Sequence, residues 1–114
     1  MTRTFGAIPA DEAGWPDGAP GPGSGTLTAV STTYTVLSTD YTINGSSAGA
    51  FVITLLTAVG RSGQVFNIKN SGAGAITIAT SLGQTIDGYA SGDISLAQYD
   101  NLTVQSNGTN WIIL

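Results

Sequence analysis

The sequence predicts an all-β protein: a compact antiparallel β-sandwich or prism-like domain with an extended N-terminal arm. Three observations predict it. From Thr26 onward, apolar residues recur with period two among Thr, Val, Ile, Tyr and Phe. Gly-containing turn signals punctuate these runs every few residues. All four prolines lie at positions 9, 16, 20 and 22, with none from 23 to 114. No twelve-residue window shows a 3.6 period with caps, so helix content should be close to nil.

The arm spans 1–25 and the body 26–114. The stretch from Pro16 to Gly25 cannot form a helix or a central strand, because proline lacks the N–H and fixes φ. It should be extended or coil. Phe5, Ile8 and Trp15 are large apolar groups that a purely solvated tail does not need, so they are the candidate anchors of a partner-docking arm. In the body, strands are expected near 26–31, 33–37, 40–44, 50–56, 64–70, 74–79, 84–87, 93–96, 100–106 and 110–114. Asn44-Gly45 and Asn107-Gly108 should form tight turns, since Asn and Gly tolerate positive φ. Gly60 to Gly63 and Ser71 to Gly74 should form slightly longer connections.

Alternation assigns the faces. Tyr41 pairs with Ile43; Phe51, Ile53 and Leu55 form a set opposite Val52 and Leu56. Phe66 with Ile68, Ile76 with Ile78, and Leu102 with Val104 alternate with polar or small neighbours. One face of each strand should enter the core. The final segment differs: Trp111, Ile112, Ile113 and Leu114 are apolar on both faces. A strand of that kind lies centrally in a sheet or under a neighbouring subunit, which makes these four residues a candidate subunit interface.

Composition excludes several functions. The 114 residues include no cysteine and no histidine. Disulfides, thiolate metal sites and the commonest general base are therefore absent from the chain. Three basic and seven acidic residues give a net charge of −4. Arg3, Arg61 and Lys69 are too scattered to form a patch, so neither nucleic acid nor an anionic membrane is an expected partner. No apolar run approaches the roughly 20 residues of a membrane span, and the first fifteen residues lack a signal-peptide core. No cofactor or metal is expected. A body of this size buries only roughly 60–65% of its unfolded surface, so oligomerisation would add a useful margin.

Individual residues favour structural roles. Asp87, Asp93 and Asp100 could supply a glycosidase carboxylate pair or a calcium site. Asp87 and Asp93 adjoin glycine, however, which is first a turn signal, and the spacing fits neither an EF-hand nor a Gly-Gly-x-Gly-x-Asp repeat. Gly21 to Gly25 lacks the Lys-Ser/Thr of a phosphate loop. A Ser nucleophile has no His to activate it, and Lys69 sits in Asn-Ile-Lys-Asn, a solvent-facing pattern. Trp111 reads as a core tryptophan with its N–H paired. Tyr89 and Tyr99 are the better candidates for exposed aromatics that stack on sugar rings. The chain is therefore expected not to be an enzyme.

Five segments of the body resemble, in order, a β-rich module of bacteriophage tail-fibre, tailspike and capsid-surface proteins. They are Tyr34 to Ile43, Phe51 to Leu55, Gly63 to Asn70, Gln84 to Gly88, and Leu102 to Ile113. The resemblance implies a compact β-sandwich or prism, commonly a homotrimer, on a virion surface, with no catalytic residues. The chain shows no shaft, collagen-like repeat or coiled-coil heptads. A capsid decoration (cement) or short head-fibre protein fits that better than a fibre tip. The expected partner is then the major capsid protein, gripped by the arm on a phage head after synthesis in the host cytoplasm. The alternative is a receptor-binding module for a host surface glycan or protein.

Overall fold

The structure is a computed structural model and describes residues 25–114. Apart from Gly25, the expected arm and its Phe5, Ile8 and Trp15 lie outside the described residues.

The described chain is all β, with nine strands and no helix. In order they are β1 (Leu27–Val30), β2 (Tyr34–Thr35), β3 (Thr42–Gly45), β4 (Phe51–Thr54), β5 (Val65–Asn70), β6 (Ile76–Ala79), β7 (Ile94–Leu96), β8 (Asn101–Ser106) and β9 (Trp111–Ile113). They form a five-stranded sheet, β1-β3-β5-β8-β9, and a four-stranded sheet, β2-β4-β6-β7.

The expected antiparallel arrangement needs correction, because both sheets are mixed. β1, β3 and β5 pair in parallel, as do β2, β4 and β6. The first six strands alternate between the two sheets, so the chain winds as three stacked coils. Each return to a sheet follows a full circuit, and the new strand enters in the same direction as the last. Only the closing strands reverse: β7 on β6, β8 on β5, and β9 on β8.

The core lies between the sheets. On one side the rows Ile43–Ile68–Leu102 and Phe66–Val104 point inward; on the other, Phe51–Ile76–Leu96 and Ile53–Ile78. The alternation assigned from sequence predicts these inward faces. β-Branched residues dominate because they fill a pleated surface in few rotamers. Phe66 packs on Trp111 with ring centroids 5.6 Å apart and planes tilted by 57°, a favourable aromatic geometry.

Three local expectations also change. Asn44-Gly45 is not a turn but the end of β3. The absence of a side chain at 45 leaves room for the Ile76 Cδ1 methyl and the Phe51 ring, which a Cβ there would push aside. Residues 84–87 form no strand of either sheet. Ile86 makes only isolated bridges, to Tyr89 and to Trp111, because Asp87 and Gly88 turn the chain at φ 47° and 84°. Finally, β9 is an edge strand, not a central one. Its outer edge is covered instead by that 85–87 segment. Trp111 N–H donates to the Thr85 carbonyl, Asp87 N–H to the Trp111 carbonyl, and Ile113 N–H to Asp87 Oδ1. Covering an edge in this way blocks pairing with other chains. The Asn107-Gly108 turn forms as expected, with Gly108 at φ 95°.

The coils reveal an internal repeat. Thr42 pairs with Asn67 and Phe51 with Ile76, both 25 positions on. The turns between them read Ser46-Ser-Ala-Gly-Ala50 and Ser71-Gly-Ala-Gly-Ala75. They stack: Ser71 N–H donates to the Gly45 carbonyl and Gly74 N–H to the Ser47 carbonyl.

Candidate functional site

The carboxylates of the body are occupied with architecture. Asp40 is the most engaged. It accepts hydrogen bonds from Tyr34 Oη at 2.6 Å, Leu37 N–H at 2.8 Å and Thr28 Oγ1 at 2.9 Å. This clamps the start of β1 and the β2–β3 turn together. Partial burial pushes the Asp40 carboxyl up, but the bonds from Tyr34, Leu37 and Thr28 together outweigh it and hold the group below its ordinary value. The same hydrogen bond to Asp40 is the main reason that the Tyr34 phenol is pushed up to about 12, with burial and the nearby negative charge adding to it.

The signs give a pH profile. A depressed carboxyl stabilises the fold above its unfolded value and loses that contribution as pH falls through its folded value. A raised phenol stabilises the fold below its unfolded value of 10.0 and loses the contribution as pH rises toward about 12. The urea midpoint should therefore fall below pH ~4 and again between pH ~10 and ~12. Tyr34→Phe should abolish the alkaline fall attributable to this pair and shrink the acid one. An unchanged alkaline limb in that variant would reject the assignment.

Asp87, Asp93 and Asp100 are not gathered into a site. Asp93 Oδ2 accepts Ala90 N–H at 3.1 Å, and Asp100 Oδ2 accepts Ala97 N–H at 2.9 Å. Both are turn locks three residues long. Asp87 caps Ile113 N–H at 3.2 Å. Among the described residues, no group of three acidic side chains could hold a metal ion. Lys69 Nζ donates to the Tyr99 carbonyl at 2.6 Å, across to the β7–β8 turn.

The aromatic candidates separate. Trp111 is buried within its own chain, as the core reading expects. Its Nε1 has no hydrogen-bond partner among the described residues, so the expected pairing of that N–H is not found. Any intersubunit role of 111–114 therefore falls to the exposed end, Ile113 and Leu114, with half-buried Ile112 beside them. Tyr89 and Tyr99 are exposed, and Tyr99 holds a left-handed φ of 70°.

The outer sheet faces are mostly uncharged, with Lys69 the charged side chain among the described outward strand residues. On the four-stranded sheet, Thr35, Thr54 and Ala79 form one outward row and Val52, Thr77 and Ser95 another. On the five-stranded sheet, Thr103 Oγ1 donates to Asn67 Oδ1 at 2.8 Å, and Asn67 Nδ2 donates to Thr42 Oγ1 at 3.4 Å.

One surface escaped the sequence reading. Leu37, Val59 and Leu82 are exposed by 55%, 58% and 88%. Each lies in the loop that follows a parallel strand of the four-stranded sheet (β2, β4 and β6), so winding brings them to one end of the sandwich. Hydrogen bonds tie those loops together. Gln64 Nε2 donates to the Ser38 carbonyl, Ala58 N–H to Gln84 Oε1, and Ser81 Oγ to the Leu55 carbonyl. Their spacing of just over twenty residues was the sequence signal, legible only with the coil repeat in hand.

No protein-family model, curated protein or solved structure matches the chain.

Proposed function

We propose that the chain is a non-enzymatic assembly module: a capsid decoration (cement) protein whose 1–25 arm binds the major capsid protein and stabilises a phage head. The observation that carries the non-enzymatic part is the use of the carboxylates. Asp40, Asp87, Asp93 and Asp100 each accept a backbone N–H in or beside a turn. The chain offers no histidine or cysteine with which a remaining hydroxyl could be activated. A rigid β body whose four-stranded sheet presents small uncharged side chains on its outer face suits repeated protein contact. The phage assignment rests on the ordered resemblance of residues 34–114 and on the apolar anchors Phe5, Ile8 and Trp15. In this reading the module is a homotrimer, since a three-fold assembly lets each subunit make the same contact at a three-fold point of a shell. Ile113 and Leu114 contribute to its interface.

The test is location and copy number on purified particles. Hundreds of copies per particle support decoration; a handful would overturn it in favour of a tail appendage. Deleting residues 1–25 should leave a folded body that no longer binds particles, read by co-sedimentation. Binding equal to full length would reject the docking arm.

A second reading, recognition of a host surface glycan, is favoured by the exposed Tyr89 and Tyr99. Exposed aromatic faces stack on sugar rings. It predicts saccharide binding by the full chain on a glycan array, abolished by Tyr99→Ala.

A further inference from the structure

Two of the asparagines, Asn44 and Asn107, precede glycine. An Asn-Gly pair can close on itself. The glycine amide nitrogen attacks the asparagine Cγ, because no Cβ on the glycine shields that nitrogen. The two pairs share one sequence signal, and the fold treats them oppositely.

Asn44 and Gly45 lie inside β3, between β1 and β5. Asn44 pairs with Ala29 on one side and with Lys69 on the other. Its Oδ1 accepts the Ser71 hydroxyl at 2.6 Å, and the Gly45 carbonyl accepts Ser71 N–H at 2.7 Å. Gly45 is buried. Ring closure requires the backbone at Asn44 to rotate out of its extended form. That rotation breaks ladder bonds to both neighbouring strands, so the reactive form is rare.

Asn107 lies in the β8–β9 turn and is exposed. It belongs to neither ladder; its N–H donates to the Asn110 carbonyl at 3.0 Å. Its Oδ1 accepts two backbone N–H groups, from Thr109 at 3.0 Å and Asn110 at 2.8 Å. Both donors draw electron density from Cγ and stabilise the charge that gathers on Oδ1 when a nucleophile adds. Gly108 N–H donates to Ser106 Oγ at 3.0 Å, and that hydroxyl donates to the Ala58 carbonyl at 2.6 Å. The nucleophile, the carbonyl it attacks and an acceptor for its proton thus meet in one turn.

We propose that Asn107 is a modification site, where the chain converts its own carboxamide to a carboxylate. The Gly108 nitrogen bonds to Asn107 Cγ and gives up its proton. Nδ2 then leaves as ammonia, taking that proton with it, and a succinimide ring remains. Water opens the ring at either carbonyl. Attack at Cγ gives aspartate; attack at the main-chain carbonyl gives isoaspartate, whose backbone is one carbon longer. In sum, one amide and one water become a carboxylate and an ammonium ion. The chain becomes one unit more negative than −4.

The two products differ in consequence. An aspartate at 107 still accepts from Thr109 and Asn110 N–H. Isoaspartate lengthens the turn that ends at Asn110, whose Oδ1 holds Thr85 N–H at 2.9 Å. The Thr85 carbonyl in turn holds Trp111 N–H. Isoaspartate therefore loosens the 85–87 segment that covers β9 and opens that edge to pairing.

Incubating the full chain at neutral pH, followed by peptide mapping with mass spectrometry, tests the site. In the folded chain Asn107 should convert at least tenfold faster than Asn44. In concentrated urea the two should convert within a few-fold of each other, because the fold alone separates them. Isoaspartate at 107 should remove most exchange protection from Thr85 and Trp111 N–H, whereas Asn107→Asp should retain it. Equal rates at 44 and 107 in the folded chain would overturn the proposal. So would an Asn107 that survives tenfold longer folded than in urea. Protection unchanged in the isoaspartate form would overturn the opening of the edge.

Discussion

Gly74→Ala is expected to destabilise the fold by on the order of 3 kcal/mol or more, whereas Gly49→Ala should be nearly neutral. The two glycines occupy the same position of the 25-residue repeat, in turns that stack on one another. A Cβ on Gly74 would land on the Gly49 carbonyl group and the Ala50 amide nitrogen. These are backbone atoms, so no rotamer change relieves the overlap. The stack would have to part, and with it the bond from Gly74 N–H to the Ser47 carbonyl at 2.8 Å. Gly49 lies one layer further out, and a Cβ there meets nothing within 4 Å. Neither residue has the positive φ that would itself demand glycine. The contrast therefore isolates close approach from backbone strain. Urea unfolding of the two variants decides it: a lowered midpoint for Gly74→Ala alone supports the stacked turns. Equal midpoints would show that the coils do not stack in this register.

This pair also shows what the sequence concealed. The Ser71 to Gly74 run reads as a slightly longer connection between strands, and a connection it is. Its glycines serve the packing of one coil on the next, which no local rule reveals. Alternation located the buried faces of Phe51, Ile53, Leu55, Phe66, Ile68, Ile76, Ile78, Leu102 and Val104. It is silent on direction, because side chains alternate with period two in parallel and antiparallel strands alike. The direction was legible elsewhere. Ser-x-Ala-Gly-Ala recurs at 46–50 and 71–75 between matching Ile43/Ile68 and Ile53/Ile78. A repeated strand–turn–strand unit stacks on its copy in the same sense, so it implies parallel neighbours.

The misread elements have specific causes. Residues 84–87 alternate like a strand, but Asp87 at φ 47° ends any ladder. The apolar run 111–114 suggested burial on both faces, yet only Trp111 is enclosed. The remaining residues lie at an edge that the 85–87 segment covers through backbone bonds to Trp111 and the Asp87 carboxylate on Ile113 N–H. Asn44-Gly45 carries the same tight-turn signal as Asn107-Gly108, and tertiary packing overrides it. The glycine leaves space there for the ends of the Ile76 and Phe51 side chains. The assembly of Leu37, Val59 and Leu82 at one end was invisible for a related reason: each lies in a different loop, and only the coil pitch superimposes them.

Asn70→Leu is the second large effect, and it tests how the third coil is closed. Asn70 is fully buried at the end of β5, at the register position of Gly45. Its Nδ2 donates to the Gly74 and Leu96 carbonyls, each at 2.9 Å, and its Oδ1 accepts Gly72 N–H at 3.0 Å. One side chain thus satisfies three buried backbone groups and fastens the 71–75 turn to β7 of the opposite sheet. Leucine matches the volume but can replace none of these bonds. Leaving a buried donor or acceptor unpaired costs about 1–3 kcal/mol, so three groups with partial relaxation amount to about 3–5 kcal/mol. A body of this length has only about 5–13 kcal/mol in all. The variant should unfold at a much lower urea midpoint with the slope little changed, and Gly72 N–H should lose most of its exchange protection. Asn70→Asp discriminates further. A carboxylate still accepts from Gly72 N–H but cannot donate to either carbonyl, so it should restore protection at Gly72 without restoring the midpoint. A leucine variant as stable as the parent would mean that the turn stack is held by the Ser71 and Gly74 backbone bonds alone. Asn70 would then be a buried amide that the fold does not need.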